Sequence, residues 1–201
     1  MRESPLVVAA QQSHDTWRGF DERQKRAAVA ASAVTFGRLG LRLVVEAATR
    51  TGRLSRKQRF VANLALDMAD SIDGKIARHF DAVTPFGKVA DPLADKIDFA
   101  IQEYGRVMRG ELDAPTAAVR SARDLASTHV RHEQSLRAAR GEIADADTGA
   151  RPLNKWTSAF RAASLRVDDL FPGSRLAQGM QHTATAALIA SGLSNVKEYR
   201  R

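Results

Sequence analysis

The sequence predicts an all-α protein, a bundle of six helices whose faces are unusually polar. Three observations lead there. Ala, Leu and Arg are abundant, and aromatic residues make up only 6% of the 201 positions. Alternating β-branched runs are absent, so helix is favoured throughout. Turn signals built from Gly and Pro bracket six segments of helical length.

Residues 1–25 read as a polar arm, with a short amphipathic helix around Trp17 and Phe20. The remainder, 26–201, reads as one domain. The first bundle helix runs from about Ala27 to Arg50 and stops at Thr51-Gly52. The second covers about Ser55 to His79. Asp81 to Gly87 is a connector, because Pro85 and Gly87 resist helix continuation. The third spans about Lys88 to Arg109. Gly110 and Pro115 bracket the next loop, and the fourth covers about Pro115 to Arg140. Gly141 to Pro152, rich in Asp, Ala and Gly, is a loop. The fifth covers about Asn154 to Leu170, ended by Pro172-Gly173, and the sixth about Ser174 to Ser194.

The chain has no Cys, which excludes disulfides, zinc–thiolate sites and thiol nucleophiles. Its 31 Lys+Arg against 23 Asp+Glu give a formal charge of +8, which favours anionic partners. A nucleic-acid binder would show a basic stripe on one helix; Lys and Arg are scattered instead. The N-terminus has no apolar run long enough for a signal-peptide core. The longest stretch free of Asp, Glu, Lys and Arg, Leu176 to Val196, still holds Gln178, Gln181, His182 and Asn195. Arg38, Arg42 and Glu46 interrupt the first candidate span, and Arg120 and Arg123 another. A spanning helix needs about 20 mostly apolar residues, so hydropathy alone predicts a soluble protein.

The chemistry concentrates in seven aspartates between positions 67 and 98: Asp67, Asp70, Asp73, Asp81, Asp91, Asp95 and Asp98. Asp67, Asp70 and Asp73 are spaced i, i+3, i+6. Asp91, Asp95 and Asp98 are spaced i, i+4, i+7. Both spacings put the carboxylates on one helix face. Two such helices joined by a short connector are expected to pack antiparallel, acidic face to acidic face. Nothing in the chain's own charge obviously cancels that cluster, whereas a bound divalent cation would. Hard oxygen ligands without His or Cys point to Mg²⁺ or Mn²⁺. The plain alternative is two solvated faces with Lys75, Arg78, Lys88 and Lys96 as ion-pair partners.

The spacing favours the site. The chain reads Asp70-x-x-Asp73-Gly74-x-x-Ala77-Arg78, then eight residues, then Gly87-x-x-x-Asp91-x-x-x-Asp95. This resembles the signature of the CDP-alcohol phosphatidyltransferases at every fixed position, gap included. The resemblance implies that Asp70, Asp73 and Asp91, with Asp95 at the edge of the set, hold two divalent ions that engage the pyrophosphate of a CDP-lipid. It implies that Asp95 is the general base for the acceptor hydroxyl. Gly74 then leaves room for the cytidine nucleotide, Ala77 keeps that wall small, Arg78 lies near the phosphates and Gly87 permits close approach. Asp67 is an added nucleotide or metal contact.

The resemblance extends to Ala33-Val34-Thr35-Phe36-Gly37-Arg38-Leu39, similar to the family's first helix. Ala122-Arg123-Asp124-Leu125 with Val130-Arg131, and Asn154-Lys155-Trp156-Thr157-Ser158, resemble segments of phosphatidylglycerophosphate synthases. There Arg123, Arg131 and Lys155 are candidates for the acceptor's phosphate, an Arg fork suiting phosphate geometry. The implied reaction joins CDP-diacylglycerol to glycerol 3-phosphate with release of CMP; inositol phosphate is the second acceptor. The implied setting is a multi-pass membrane protein and a homodimer. Against it stand Gln102, Glu103, Arg106, Arg161, Arg166, Asp168 and Asp169 inside the expected spans. Three arrangements reconcile this: a lipid face made polar, a degenerate relative, or polar residues gathered on inward faces. A soluble bundle that keeps the metal and CDP pocket without catalysis is the non-enzymatic alternative. His129 and His132 with Glu133 match no metal motif, and Trp17 and Trp156 are interfacial anchors or core residues.

Overall fold

The computed structural model of the chain describes residues 5–82, 84–139 and 152–199. Among them there are helices and no strands: α1 (Pro5–Gly19), α2 (Glu22–Arg50), α3 (Arg56–His79), α4 (Pro85–Met108), α5 (Ala114–Ala139), α6 (Pro152–Leu170) and α7 (Arg175–Tyr199). Helices α2 to α7 are the six expected ones, and α1 forms within the polar arm. The expected loop over 141–152 lies, up to residue 151, outside the described residues.

Local chemistry sets the ends. A side-chain oxygen accepts from the amide three residues on at the start of five helices. Asp21 takes Gln24 N at 2.7 Å, Ser55 takes Gln58 N at 3.3 Å, and Thr84 takes Gly87 N at 3.0 Å. Asp113 takes Thr116 N at 2.8 Å and Ser174 takes Ala177 N at 3.1 Å. Gln24 and Gln58 reach back to the cap amides of Asp21 and Ser55, closing two capping boxes.

These caps explain two displaced starts. Helix α2 begins at Glu22 rather than Ala27 because Asp21 and Gln24 form the box. Helix α4 begins at Pro85 rather than Lys88. Thr84 caps it, and proline suits the first helical position, where its missing N–H would have no helical partner. Helices α2 and α4 end in the same way. Arg53 N bonds Ala48 O at 2.9 Å and Gly52 N bonds Thr49 O at 3.1 Å. Glu111 N bonds Arg106 O at 2.9 Å and Gly110 N bonds Val107 O at 3.0 Å. Gly52 and Gly110 both have φ of 70°, which glycine takes without steric cost. The α3–α4 connector turns at Asp81, with φ 48°.

The chain divides into two compact units, Met1–Gly105 and Arg106–Arg201. In the first, α2 packs on α3; in the second, α7 packs on both α5 and α6. Their interiors are mainly polar. The buried apolar residues among those described are small, chiefly alanines such as Ala94, Ala117, Ala177 and Ala184, with only Leu66, Leu165 and Leu188 larger. The bulkiest fully buried side chains include Arg42, Arg106, Arg120 and Arg161. Large apolar side chains point outward instead: Val29, Phe36, Leu41, Leu43 and Val44 on α2, Val61, Leu64 and Met68 on α3. On α2 the buried stripe is Thr35, Arg38, Arg42 and Glu46, spaced 3, 4, 4 along one face. The residues that break the apolar run are therefore the inward ones. Among the described residues, α2 is the one helix long and apolar enough to cross a membrane.

Candidate active site

Arg38 and Arg42 stand one turn apart on the inward stripe of α2, and Asp67 of α3 and Asp95 and Asp98 of α4 meet on them. Arg42 is wholly buried and spends its guanidinium on three side chains. Its Nε and Nη2 donate to the two oxygens of Asp98 at 2.8 and 3.1 Å. Its Nη1 donates to Asn63 Oδ1 at 2.6 Å, and Nη2 also to Asp67 Oδ1 at 2.7 Å. Gln102, one turn beyond Asp98, donates from Nε2 to Asp98 Oδ2 at 2.9 Å. Arg38 donates from Nη2 to Asp95 Oδ1 at 2.9 Å, and its Nη1 lies 3.8 Å from Asp98 Oδ2.

Among the described side chains, Asp67 from α3 and Asp98 from α4 turn inward and accept from one guanidinium. What the sequence reading missed is the counter-charge. The expectation that the chain's own charge leaves the cluster uncancelled fails for Asp67, Asp95 and Asp98. Their guanidinium partners are Arg38 and Arg42. They are arginines from a preceding helix. The detectable signal was the i, i+4 pair Arg38/Arg42 within a continuous polar stripe. A buried, forked Arg–carboxylate pair of this kind is held by charge-assisted bonds. Removing one partner would strand a buried charge at a cost of about 3–5 kcal/mol.

Exposure rises along the carboxylates. The side chain of Asp98 is 6% exposed, that of Asp67 25% and that of Asp95 48%. Asp91, one turn before Asp95, is exposed. At the head of α4 a Cβ on Gly87 would lie 3.2 Å from Thr84 Oγ1 and 3.9 Å from Asp91 Oδ2. Glycine there leaves the cap intact and the approach to Asp91 open. Asp70, Asp73, Gly74, Ala77 and Arg78 lie on α3, and their side chains fall outside the described residues. Among the described residues no group of three or more His, Asp or Glu could hold a metal ion. The described carboxylates that converge there do so on arginine. Asp91 offers carboxylate oxygen beyond that arginine layer, the hard donor a divalent ion such as Mg²⁺ takes.

In the second unit Arg123 is built into the packing. Its Nη2 donates to Ser191 Oγ at 2.6 Å and to Asn154 Oδ1 at 3.3 Å, its Nε to Leu188 O at 3.1 Å, and its Nη1 to Asp124 Oδ1 at 3.1 Å. Arg161 Nη1 takes the other oxygen of Asp124 at 2.7 Å. Lys155 is exposed beside Asn154, and the side chain of Arg131 lies outside the described residues. Trp156 is 76% exposed, which excludes a core role within the chain, and Trp17 is exposed with Phe20 beside it. Arg106 donates from Nε to Asp168 Oδ2 at 3.1 Å and from Nη2 to Leu165 O at 2.9 Å, and it also bonds Asp169. Arg166 Nη1 takes the second oxygen of Asp169 at 2.6 Å. The charges that spoke against spans in α6 are buried and paired.

No curated protein matches the chain. The family model for CDP-alcohol phosphatidyltransferases matches residues 28–190, which takes in most of α2, all of α3 to α6 and most of α7. That range contains the whole aspartate signature and the arginine pair beneath it. The chain belongs to the CDP-alcohol phosphatidyltransferase family, enzymes that transfer a substituted phosphate group from a CDP-alcohol to a second alcohol.

Proposed function

We propose that this enzyme moves the phosphatidyl group of CDP-diacylglycerol onto a phosphorylated polar alcohol, glycerol 3-phosphate, and releases CMP. The observation that carries the reading is Asp95: half exposed, in the signature position, and held through one carboxylate oxygen by a buried arginine. Asp95 accepts the proton of the acceptor hydroxyl, the oxygen so freed attacks the lipid-bearing phosphorus, and the bond to CMP breaks. Asp70, Asp73 and Asp91 would hold two divalent ions, Mg²⁺ or Mn²⁺, which when bound draw charge off the pyrophosphate and ease the departure of CMP. Gly74 and Ala77 leave space for the cytidine, Arg78 meets the phosphates, Gly87 lets the substrate approach the head of α4, and Asp67 borders the nucleotide. Arg123, Arg131 and Lys155 are assigned to the acceptor's phosphate. For Arg123 that means exchanging part of its bonding to Ser191 and Asn154.

The setting proposed is a bilayer crossed several times, with the enzyme as a homodimer. The inverted distribution of side chains supports the bilayer. Charged residues are buried and paired, and the outer face of α2 presents Val29, Phe36, Leu43 and Val44. An intramembrane charge normally faces the bundle interior.

The test is CMP release from CDP-diacylglycerol with Mg²⁺, using glycerol 3-phosphate, inositol phosphate, inositol and serine in turn. Release with glycerol 3-phosphate alone is expected. Release with inositol phosphate alone would move the acceptor assignment, and release with none would remove the transfer reading.

A further inference from the structure

Arg38 stands where it can decide which job Asp95 does. It lies on the buried stripe of α2, and its side chain is 4% exposed. Its Nη2 holds Asp95 Oδ1 at 2.9 Å, and Asp95 Oδ2 has no hydrogen-bond partner among the described residues. Arg38 is itself anchored. Its Nη1 faces Asp98, which is fixed by the Arg42 fork and by Gln102, and Arg42 continues to Asn63 and Asp67 on α3. The guanidinium therefore cannot follow a carboxylate that swings away.

We propose that Arg38 is a positioning residue of the transfer reaction. It ties down one oxygen of Asp95 so that the other faces the acceptor hydroxyl, and it keeps Asp95 out of the metal layer. This rests on the reading of Asp95 as the base. Two physical points support it. An aspartate half exposed on a helix samples several rotamers unless one oxygen is fixed, and Asp91 lies only one turn away, so an untethered Asp95 would have a cation site within reach. The positive charge of Arg38 between Asp95 and Asp98 also repels a metal ion from the lower layer. The cations are thereby confined to Asp70, Asp73 and Asp91, and Asp95 is left to handle the proton.

The test is a double-mutant cycle on the full chain in detergent or nanodiscs, with Arg38→Gln, Asp95→Asn and the pair together. The readouts are kcat and KM for CMP release from CDP-dioleoylglycerol, with the acceptor chosen by the panel above, and Mn²⁺ binding by electron paramagnetic resonance. Arg38→Gln is expected to lower kcat on the order of 10–100-fold, the range for partners that orient a functional side chain. KM and Mn²⁺ affinity should stay unchanged. Arg38→Lys, which keeps a donor and a charge, should recover part of the loss. The double variant should be no slower than Asp95→Asn alone. If the two losses multiply, or if Arg38→Gln weakens Mn²⁺ binding in step with kcat, Arg38 acts through the metal layer or the fold and the proposal is overturned. If Arg38→Gln does not fold, Arg38→Lys is read in the same cycle against the same two outcomes. Full activity in Asp95→Asn would be a different failure, removing the base assignment itself.

Discussion

The first unit buries Arg38 and Arg42 among Asp67, Asp95 and Asp98; the second buries Arg106 and Arg166 among Asp168 and Asp169. The parts are the same, but the networks end differently. In the second, Asp168 is 4% exposed and Asp169 fully buried, and two arginines answer two aspartates. That network lies wholly inside the unit. In the first, the carboxylates held by Arg38 and Arg42 run outward, and Asp95 is half exposed. A buried Arg–Asp network is weak evidence for function by itself. The partly exposed carboxylate distinguishes a site from a strut.

The sharpest way to break this comparison is at its exposed end. Asp95→Asn keeps the shape and the bond from Arg38 but cannot take a proton. Turnover is expected to fall by about 10²–10⁴, the range for a general base, with CDP binding by calorimetry largely kept. Normal CMP release would show that the exposed carboxylate does no chemistry.

The buried network should answer in the opposite currency. Arg106→Met takes a buried arginine away from both Asp168 and Asp169. A loss of about 3–5 kcal/mol in stability is expected, read as a lower thermal midpoint in detergent, with kcat per folded molecule unchanged. A stable variant with impaired turnover would mean that the second network also serves the reaction.

A third variant probes the two faces of α2. Val44 is exposed and Arg42, two residues earlier, is wholly buried. Val44→Asp puts a charge on the outer face, where a bilayer centre would penalise it by about 2.5–3.5 kcal/mol on insertion scales. The protein should then shift out of the carbonate-resistant membrane fraction. Unchanged fractionation would mean that this face does not meet lipid.

The helices were legible in the sequence because Gly and Pro turn signals bracket them, whereas the caps that set their starts went unread. Asp21 with Gln24, Ser55 with Gln58, and Thr84 before Pro85 are short-range signals. The starts at Glu22 and Pro85 moved because these caps outrank composition. The aspartate signature was legible because its spacing is rigid. Arg38 and Arg42 were not, because hydropathy sums a window without regard to direction. Two arginines on one turn of an apolar helix score as breaks in a span, although their spacing points both toward the acids of α3 and α4. The polar residues of α6 misled for the same reason: Arg166, Asp168 and Asp169 face inward, the aspartates paired with Arg166 and with Arg106 of α4. Pro92 inside α4 carried no sequence expectation. It has no N–H for the carbonyl of Lys88, yet the helix continues through it.

The smallest effect expected lies at the start of α5, away from both networks. The hydroxyl and amide of Thr116 hydrogen-bond the exposed Asp113 carboxylate and hold its pKa below the ordinary value. A lowered pKa means that the ionised cap stabilises the fold at all pH values above the ordinary carboxylate range. That contribution is lost as pH falls below the range and the cap is protonated. Asp113→Ala should cost about 1 kcal/mol at neutral pH, as loss of a helix N-cap does, without changing kcat. Asp113→Asn keeps an oxygen for the Thr116 amide and should cost only a fraction of that, while removing this part of the acid sensitivity. Thermal midpoints of the three proteins at neutral and acid pH separate the cap from its charge. If Asp113→Asn loses as much stability as Asp113→Ala at neutral pH, the charge rather than the hydrogen bond holds the start of α5.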